Sequence, residues 1–195
     1  DLGANSVDEL IALAKKSTDK PLTYGSVGVG SLYHLIMENV QGLTGTTMQH
    51  VPYKGNAPLL QDIAGGQVDF AVLVYSAAMG ALGDQGKLKV IGQLGAQRSE
   101  LLKAVPAASE GQTLKNFSYK IWTGFMVPRS TPEDVVQRLH AAIGKTLQDP
   151  AVRSQLAAQT QLASAPMTLA ESARFFEAET AKYRAIAKAI NLQPQ

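Results

Sequence analysis

Tyr24-Gly-Ser-Val-Gly-Val-Gly-Ser31 decides the reading of this chain. A short β-prone run, Leu22-Thr-Tyr-Gly25, leads into it after Pro21. A run with helical apolar spacing, residues 32–40, follows it and stops at Gly42. Strand, glycine turn, helix is the order that sets a helix N-terminus at the carboxyl end of a strand. Glycines let the backbone turn tightly and approach a ligand. The N–H groups of the first helical turn, with the helix dipole behind them, favour an anion. Ser26 and Ser31 add hydroxyls, and Gly28, Val29 and Gly30 supply the backbone between them. The stretch lacks the Gly-Lys-Ser/Thr ending of a P-loop. The spacing of Gly25, Gly28 and Gly30 also departs from the dinucleotide fingerprint, and no acidic residue follows about 20 positions later at a strand end. Two readings remain: an anion-holding turn, or a connector that holds nothing.

Outward from this turn the pattern repeats. Residues 46–51 read as a second strand, Pro52-Tyr-Lys-Gly-Asn56 as a loop, and 58–64 as a helix closed by Gly65-Gly66. Residues 68–74 read as a buried parallel strand, 76–82 as a short helix and 88–94 as a further strand. Alternating strands and helices predict an α/β fold with a parallel sheet. Upstream, Ser6-Val-Asp-Glu9 has capping-box spacing and opens a helix over 7–16. Downstream, residues 119–127 read as a strand carrying Trp122. Thr131-Pro132 reads as an N-cap and first helical residue, for a helix to about residue 147. Pro150 opens another helix, and Thr168-Leu-Ala-Glu171 is a second capping box for a long one reaching residue 190. The part beyond Thr131 is almost all helix and supplies hardly any strand for those helices to cover.

Composition narrows the function classes. The 195 residues are 45% apolar and 17% charged, with a net charge of +2. That excludes intrinsic disorder. The basic residues are scattered, which argues against a nucleic-acid partner. Cysteine is absent, so disulfides, thiolate metal sites and cysteine nucleophiles are excluded. The longest apolar-rich stretch, 70–82, is too short for the roughly 20 residues of a membrane span. Asp1 opens on no signal-peptide pattern, which fits a cytosolic chain or one already processed.

Ligands in open α/β sheets bind beyond the carboxyl ends of the strands. Two further loops share that edge. Tyr53 in the first could stack on or hydrogen-bond a ligand, or pack beneath its loop; Lys54 beside it reads as solvated. Tyr75 and Ser76 end the third strand and offer hydroxyls, although Ser76 also suits a helix N-cap. Ser31 and His34, three residues apart, raise a serine-hydrolase alternative, but no Gly-x-Ser-x-Gly elbow and no placed acid support it. His34, His50 and His140 have no metal-ligand spacing. No cofactor is implied.

The ordered series Tyr24–Ser31 with His34, His50-Val-Pro-Tyr-Lys-Gly55, Gly65-Gly-Gln-Val-Asp69, Gly86-Lys-Leu-Lys89, Trp122-Thr-Gly124 and Asp149-Pro150-Ala-Val-Arg153 resembles the Bug family, periplasmic solute-binding proteins of tripartite tricarboxylate transporters. The resemblance implies a type II periplasmic-binding-protein fold, a Venus flytrap whose two lobes close on a small carboxylate. It implies a periplasmic location, membrane transporter subunits as partners, and no catalysis. It places residues 21–117 as one complete βα lobe, and 1–20 with 118–195 as the remainder of an incomplete one. Family members carry a further amino-terminal segment, so the chain reads as shortened. An unpaired edge near 119–127 then invites a homodimer. Many members also carry Asp or Asn where this chain has Leu73 and Val74, which favours a plain or aromatic carboxylate over an amino acid. The implied ligand set is Ser26, Gly28, Val29, Gly30, Ser31, Tyr53, Tyr75 and Ser76.

Overall fold

The computed structural model describes residues 2–189. Helix α1 (Val7–Lys16) comes first, followed by three parallel strands, β1 (Thr23–Ser26), β2 (Gln49–Pro52) and β3 (Phe70–Ala71). Their order is β2-β1-β3, with Ser26 opposite Pro52 and Gly25 opposite Ala71. Central β1 is the buried one: Tyr24, Gly25 and Ser26 are all inside. Each strand feeds a helix: α2 (Leu32–Thr44), α3 (Asn56–Ala64) and α4 (Ala77–Asp84). Parallel strands share one direction, so the N-termini of all three helices gather at the carboxyl edge of the sheet.

The elements form for local reasons. Ser31 caps α2 by accepting from the His34 amide. Leu35, Ile36, Met37 and Val40 then present one buried face. Each such side chain contributes about 1.5–3 kcal/mol relative to exposure. The helix runs through Gly42, where the sequence suggests a stop, and ends at Gly45, whose φ of +63° gives the left-handed cap. Ser6 caps α1 as expected, but Glu9 reaches back to the Asn5 amide at 2.7 Å. Asp8 of α1 accepts from the amides of Gln112 and Thr113 at 2.7 and 3.0 Å. Those bonds, the Gln112 amide foremost, hold its carboxyl below the usual range.

The chain divides into two units, one of residues up to Ile121 with the chain from Ala185 on, the other Trp122–Arg184. Residues 2–20 thus group with the sheet in this structure. The second unit holds α5 (Glu133–Gln148), α6 (Pro150–Ala158) and α7 (Leu169–Ala189) through residue 184. Asp149 caps α6, and the Thr168–Glu171 box opens α7 with reciprocal bonds of 2.7 and 3.1 Å. The α5 cap falls one residue late: Pro132, at ψ 142°, precedes the first helical residue. The expected end of α7 at Ile190 lies outside the described residues.

Two expected strands are not formed. Residues 88–94 make one isolated bridge, Gln93 to Ala107, and 119–127 run without strand pairing among the described residues. An apolar run becomes a strand only where a partner backbone offers hydrogen bonds. Trp122 therefore lies in no core strand. It packs edge-on against Phe175 and Phe176 and donates from Nε1 to Glu179 at 3.2 Å. β2 and β3 are also shorter than read. Ahead of β2, Thr44 and Thr46 pair their hydroxyls, and the Met48 amide bonds the Gln41 side chain.

Candidate functional site

The glycine turn is built on two backbone conformations and one close approach that suit its sequence. Gly28 has φ +131° and Gly30 φ +76°, a region that side-chain-bearing residues rarely enter. Gly25, one turn earlier, needs its missing side chain for space, because a Cβ there would meet Leu59 Cδ1 at 2.1 Å.

Beneath the turn lies a polar cluster. Ser26 is fully buried, and its Oγ accepts from the Gly28 amide at 3.1 Å and stands 2.6 Å from Nε2 of His50. His50 stacks between Tyr24 and His34, with ring centroids 4.9 and 4.2 Å away. His34 turns its Nδ1 back to accept from the Gly30 amide at 3.2 Å. Its Nε2 lies 3.9 Å from Glu38. Glu38 in turn accepts from the Tyr24 hydroxyl at 2.7 Å and from Gln41 at 2.8 Å. Burial, then the neighbouring His34, lower the His50 pKa, with Glu38 opposing. Burial and Glu38 push the Tyr24 phenol up.

This cluster uses the Gly28 and Gly30 amides, while Ser31 N–H bonds the Gly28 carbonyl and His34 N–H the Ser31 hydroxyl. The amides of Val27, Val29, Leu32 and Tyr33 have no acceptor among the described residues. Leu32 and Tyr33 open α2, and unbonded amides at a helix start favour an anion, with those of Val27 and Val29 in the turn that leads into it. Val29 is 45% exposed beside them.

The other two loops meet the turn at the same edge. The Tyr53 amide donates to the Ser26 carbonyl at 2.8 Å, which fixes the 53–55 loop alongside. The Tyr53 hydroxyl is committed to Asp62 at 2.8 Å, and burial with that bond pushes its pKa up to about 12. Gly55, at φ +113°, precedes α3 without a side-chain cap. Ser76 caps α4 through the Met79 amide at 3.4 Å. Tyr75 lies against the same helix, where a Cβ on Gly80 would meet its hydroxyl at 2.8 Å. Among residues 27–31, 53–55 and 72–76 the one charged side chain is that of Lys54, and it is exposed.

The structure thus brings Ser26, Gly28, Val29, Gly30 and Ser31 together with Tyr53, on adjoining strand ends. Ser26 serves the turn from inside rather than offering its hydroxyl outward. Sequence reading missed His50. The signal was available in the strand period: Tyr24 and Ser26 share a face of β1, and His50 pairs opposite Tyr24 on β2. The Ser31–His34 pair is not a nucleophile and base. Ser31 Oγ caps the helix, and the His34 ring holds Gly30.

Residues 1–192 match the family described as "Tripartite tricarboxylate transporter family receptor". A "UPF0065 protein in tcbD-tcbE intergenic region" of Pseudomonas sp. strain P51 is 30% identical over 182 residues, 91% of this chain and 52% of that protein. Protein BugT of Bordetella pertussis is 30% identical over 158 residues, 81% of this chain and 48% of BugT. Among solved structures, "R. palustris Rpa4515 with adipate" superposes with a TM-score of 0.81 at 28% identity, covering 100% of this chain and 64% of that one. "MatC (Rpa3494) from Rhodopseudomonas palustris with bound malate" gives 0.77 at 26% identity, covering 95% and 63%. The chain therefore spans about half the length of the curated relatives it matches. Its α/β fold with a parallel sheet, which the alternation of strands and helices anticipated, is that of the type II periplasmic binding proteins, which the family resemblance implied. Family and neighbours alike are solute-binding receptors rather than enzymes. With its turn, its histidine cluster and these likenesses in view, the chain belongs to the tripartite tricarboxylate transporter receptor family, the family of the Bug proteins.

Proposed function

We propose that this chain supplies one wall of a carboxylate site in an extracytoplasmic solute-binding protein. The Ser26–Ser31 turn holds one carboxylate of a small organic acid. The observation that carries this reading is the set of four amides without acceptors among the described residues, Val27 and Val29 in the turn and Leu32 and Tyr33 at the start of α2. Val29 and Gly30 present backbone, Gly28 gives the turn its shape and Ser31 its cap. Tyr53 lines the site with its ring, since its hydroxyl is taken, and Tyr75 and Ser76 close the third side. A single exposed lysine and no acidic side chain across these loops suit an anion. Leu73 and Val74 offer no partner for an ammonium group, so the ligand is a plain dicarboxylate or aromatic carboxylate rather than an amino acid. Relatives solved with adipate and malate accord with that class. In the whole protein a second lobe closes on the ligand, the location is the periplasm, and the membrane subunits of a tripartite transporter receive the load.

The test is adipate binding by calorimetry to the wild-type chain, Val29→Asp and Val29→Ala. Val29 is half-exposed, so neither change disturbs the core. An added carboxylate beside the amides should weaken binding about tenfold or more, the equivalent of 1.4 kcal/mol. Equal affinities for Asp and Ala would remove the turn from the site.

A second reading rests on the exposure of Phe125 at 78% and Met126 at 69%. Under it, residues 119–127 pair between two copies of the chain. Light scattering that finds a strict monomer would end that reading.

A further inference from the structure

We propose that His34 is the positioning residue of the anion turn, and that proton uptake by the His34–His50 pair opens the turn and lowers its affinity for anions. The proposal rests on the carboxylate reading above for its ligand, but the latch itself is a property of the free chain.

The geometry sets the protonation states. His34 Nδ1 accepts from the Gly30 amide, so it carries no proton, and the ring proton sits on Nε2 towards Glu38. A proton on Nδ1 would face an N–H donor. The Gly30 bond would break, and the amide pattern that leaves Val27 and Val29 unbonded would go with it. His50 is more tolerant. If its Nε2 takes a proton, it donates to Ser26 Oγ, and the Ser26 hydroxyl can turn to the Gly28 carbonyl, 3.0 Å away. One ring therefore has an alternative partner and the other has none. The two rings stack 4.2 Å apart, so a charge on either disfavours a charge on the other.

Glu38 of α2 faces His34, with 3.9 Å between Nε2 and the carboxylate. The Tyr24 phenol of β1 already donates to Glu38. Residues 25–32 carry no ionisable side chain. The switch therefore lies with the two imidazoles and one carboxylate. With both rings uncharged the turn is set; when His34 takes up a proton it lets go of Gly30 and the anion is released.

The experiment is a pH titration of the free chain by NMR from about pH 8 to 5, the range in which histidine changes charge. It follows the His34 and His50 imidazoles and the Gly30 amide in wild type and in His34→Gln, which keeps an acceptor but takes up no proton. The expected result is a Gly30 amide resonance that moves with the His34 midpoint in wild type and stays still in the variant. With adipate added, wild-type affinity should fall about tenfold further than the variant's over that range, one unit of linked proton uptake. The titration of adipate itself is common to both chains. A Gly30 amide that ignores His34, or moves equally in His34→Gln, overturns the proposal. Should adipate bind at no pH while Gly30 still tracks His34, the ligand reading fails and the latch stands.

Discussion

A Cβ atom on Gly25 would lie 2.1 Å from Cδ1 of Leu59, a side chain with no exposed surface. Central strand β1 and helix α3 pack tightly here, and only a hydrogen fits between Gly25 and Leu59. Gly25→Ala should therefore destabilise the chain by about 1–3 kcal/mol, the usual cost of overpacking a tight core. Urea unfolding measures it. The double change Gly25→Ala with Leu59→Val should recover part of the loss, because it removes the clashing methyl.

Ser26 and Ser31 sit at the two ends of the same turn and should behave differently. Ser26→Ala leaves the Gly28 amide and His50 Nε2 without their partner in a buried site, at a cost of about 1–3 kcal/mol. Ser31→Ala removes an N-cap, at about 0.5–2 kcal/mol. The discriminating readout is the Gly28 amide resonance, expected to shift strongly in the Ser26 variant and little in the Ser31 variant.

Glu110 gives an acid-side signature. Arg98 grips its carboxylate with two bonds, at 2.8 and 2.5 Å, and the Ala107 amide adds a third at 2.9 Å. These partners, Arg98 first, lower its pKa from 4.5 to about 2. A depressed carboxylate contributes stability above its unfolded pKa and loses it as pH falls through the folded one. The stability gap between wild type and Glu110→Gln should hold above pH 4.5 and close on the way down to about 2. Because the pair is exposed, the gap should also shrink with added salt.

Tyr53 gives the opposite signature. Its phenol pKa is raised from 10.0 to about 12 by burial and by the bond to Asp62. A group with a raised pKa contributes stability below its unfolded value and loses it as pH rises through the folded one. Tyr53→Phe should be less stable than wild type by about 0.5–1.5 kcal/mol at neutral pH, the net worth of one hydrogen bond. The difference should vanish between pH 10 and about 12.

What could be read from sequence was what local chemistry fixes. Ser6, Ser76 and Thr168 read as helix caps, each through a side-chain oxygen three residues before the amide it meets, and each caps its helix in the structure, whereas at Thr131 the cap fell one residue late. The turn at Gly28 and Gly30 was legible because only glycine takes those angles freely. The strands were less legible. Residues 88–94 and 119–127 have strand-like patterns, yet pairing depends on a distant backbone that the pattern does not name. The histidine cluster lay beyond local reading for the same reason. Ser26 and His50 are 24 residues apart in sequence and meet only once β1 and β2 are in register.

The central claim is that amides of the glycine turn and the start of α2 hold a carboxylate. Its most direct test is an NMR titration of the chain with adipate at neutral pH, followed through every backbone amide. The account expects saturable shifts concentrated at Val27, Val29, Leu32 and Tyr33, with smaller ones at Gly30 and Tyr53. A folded chain whose α2 amides stay in place while adipate shifts another region, or shifts nothing at millimolar concentration, would contradict it.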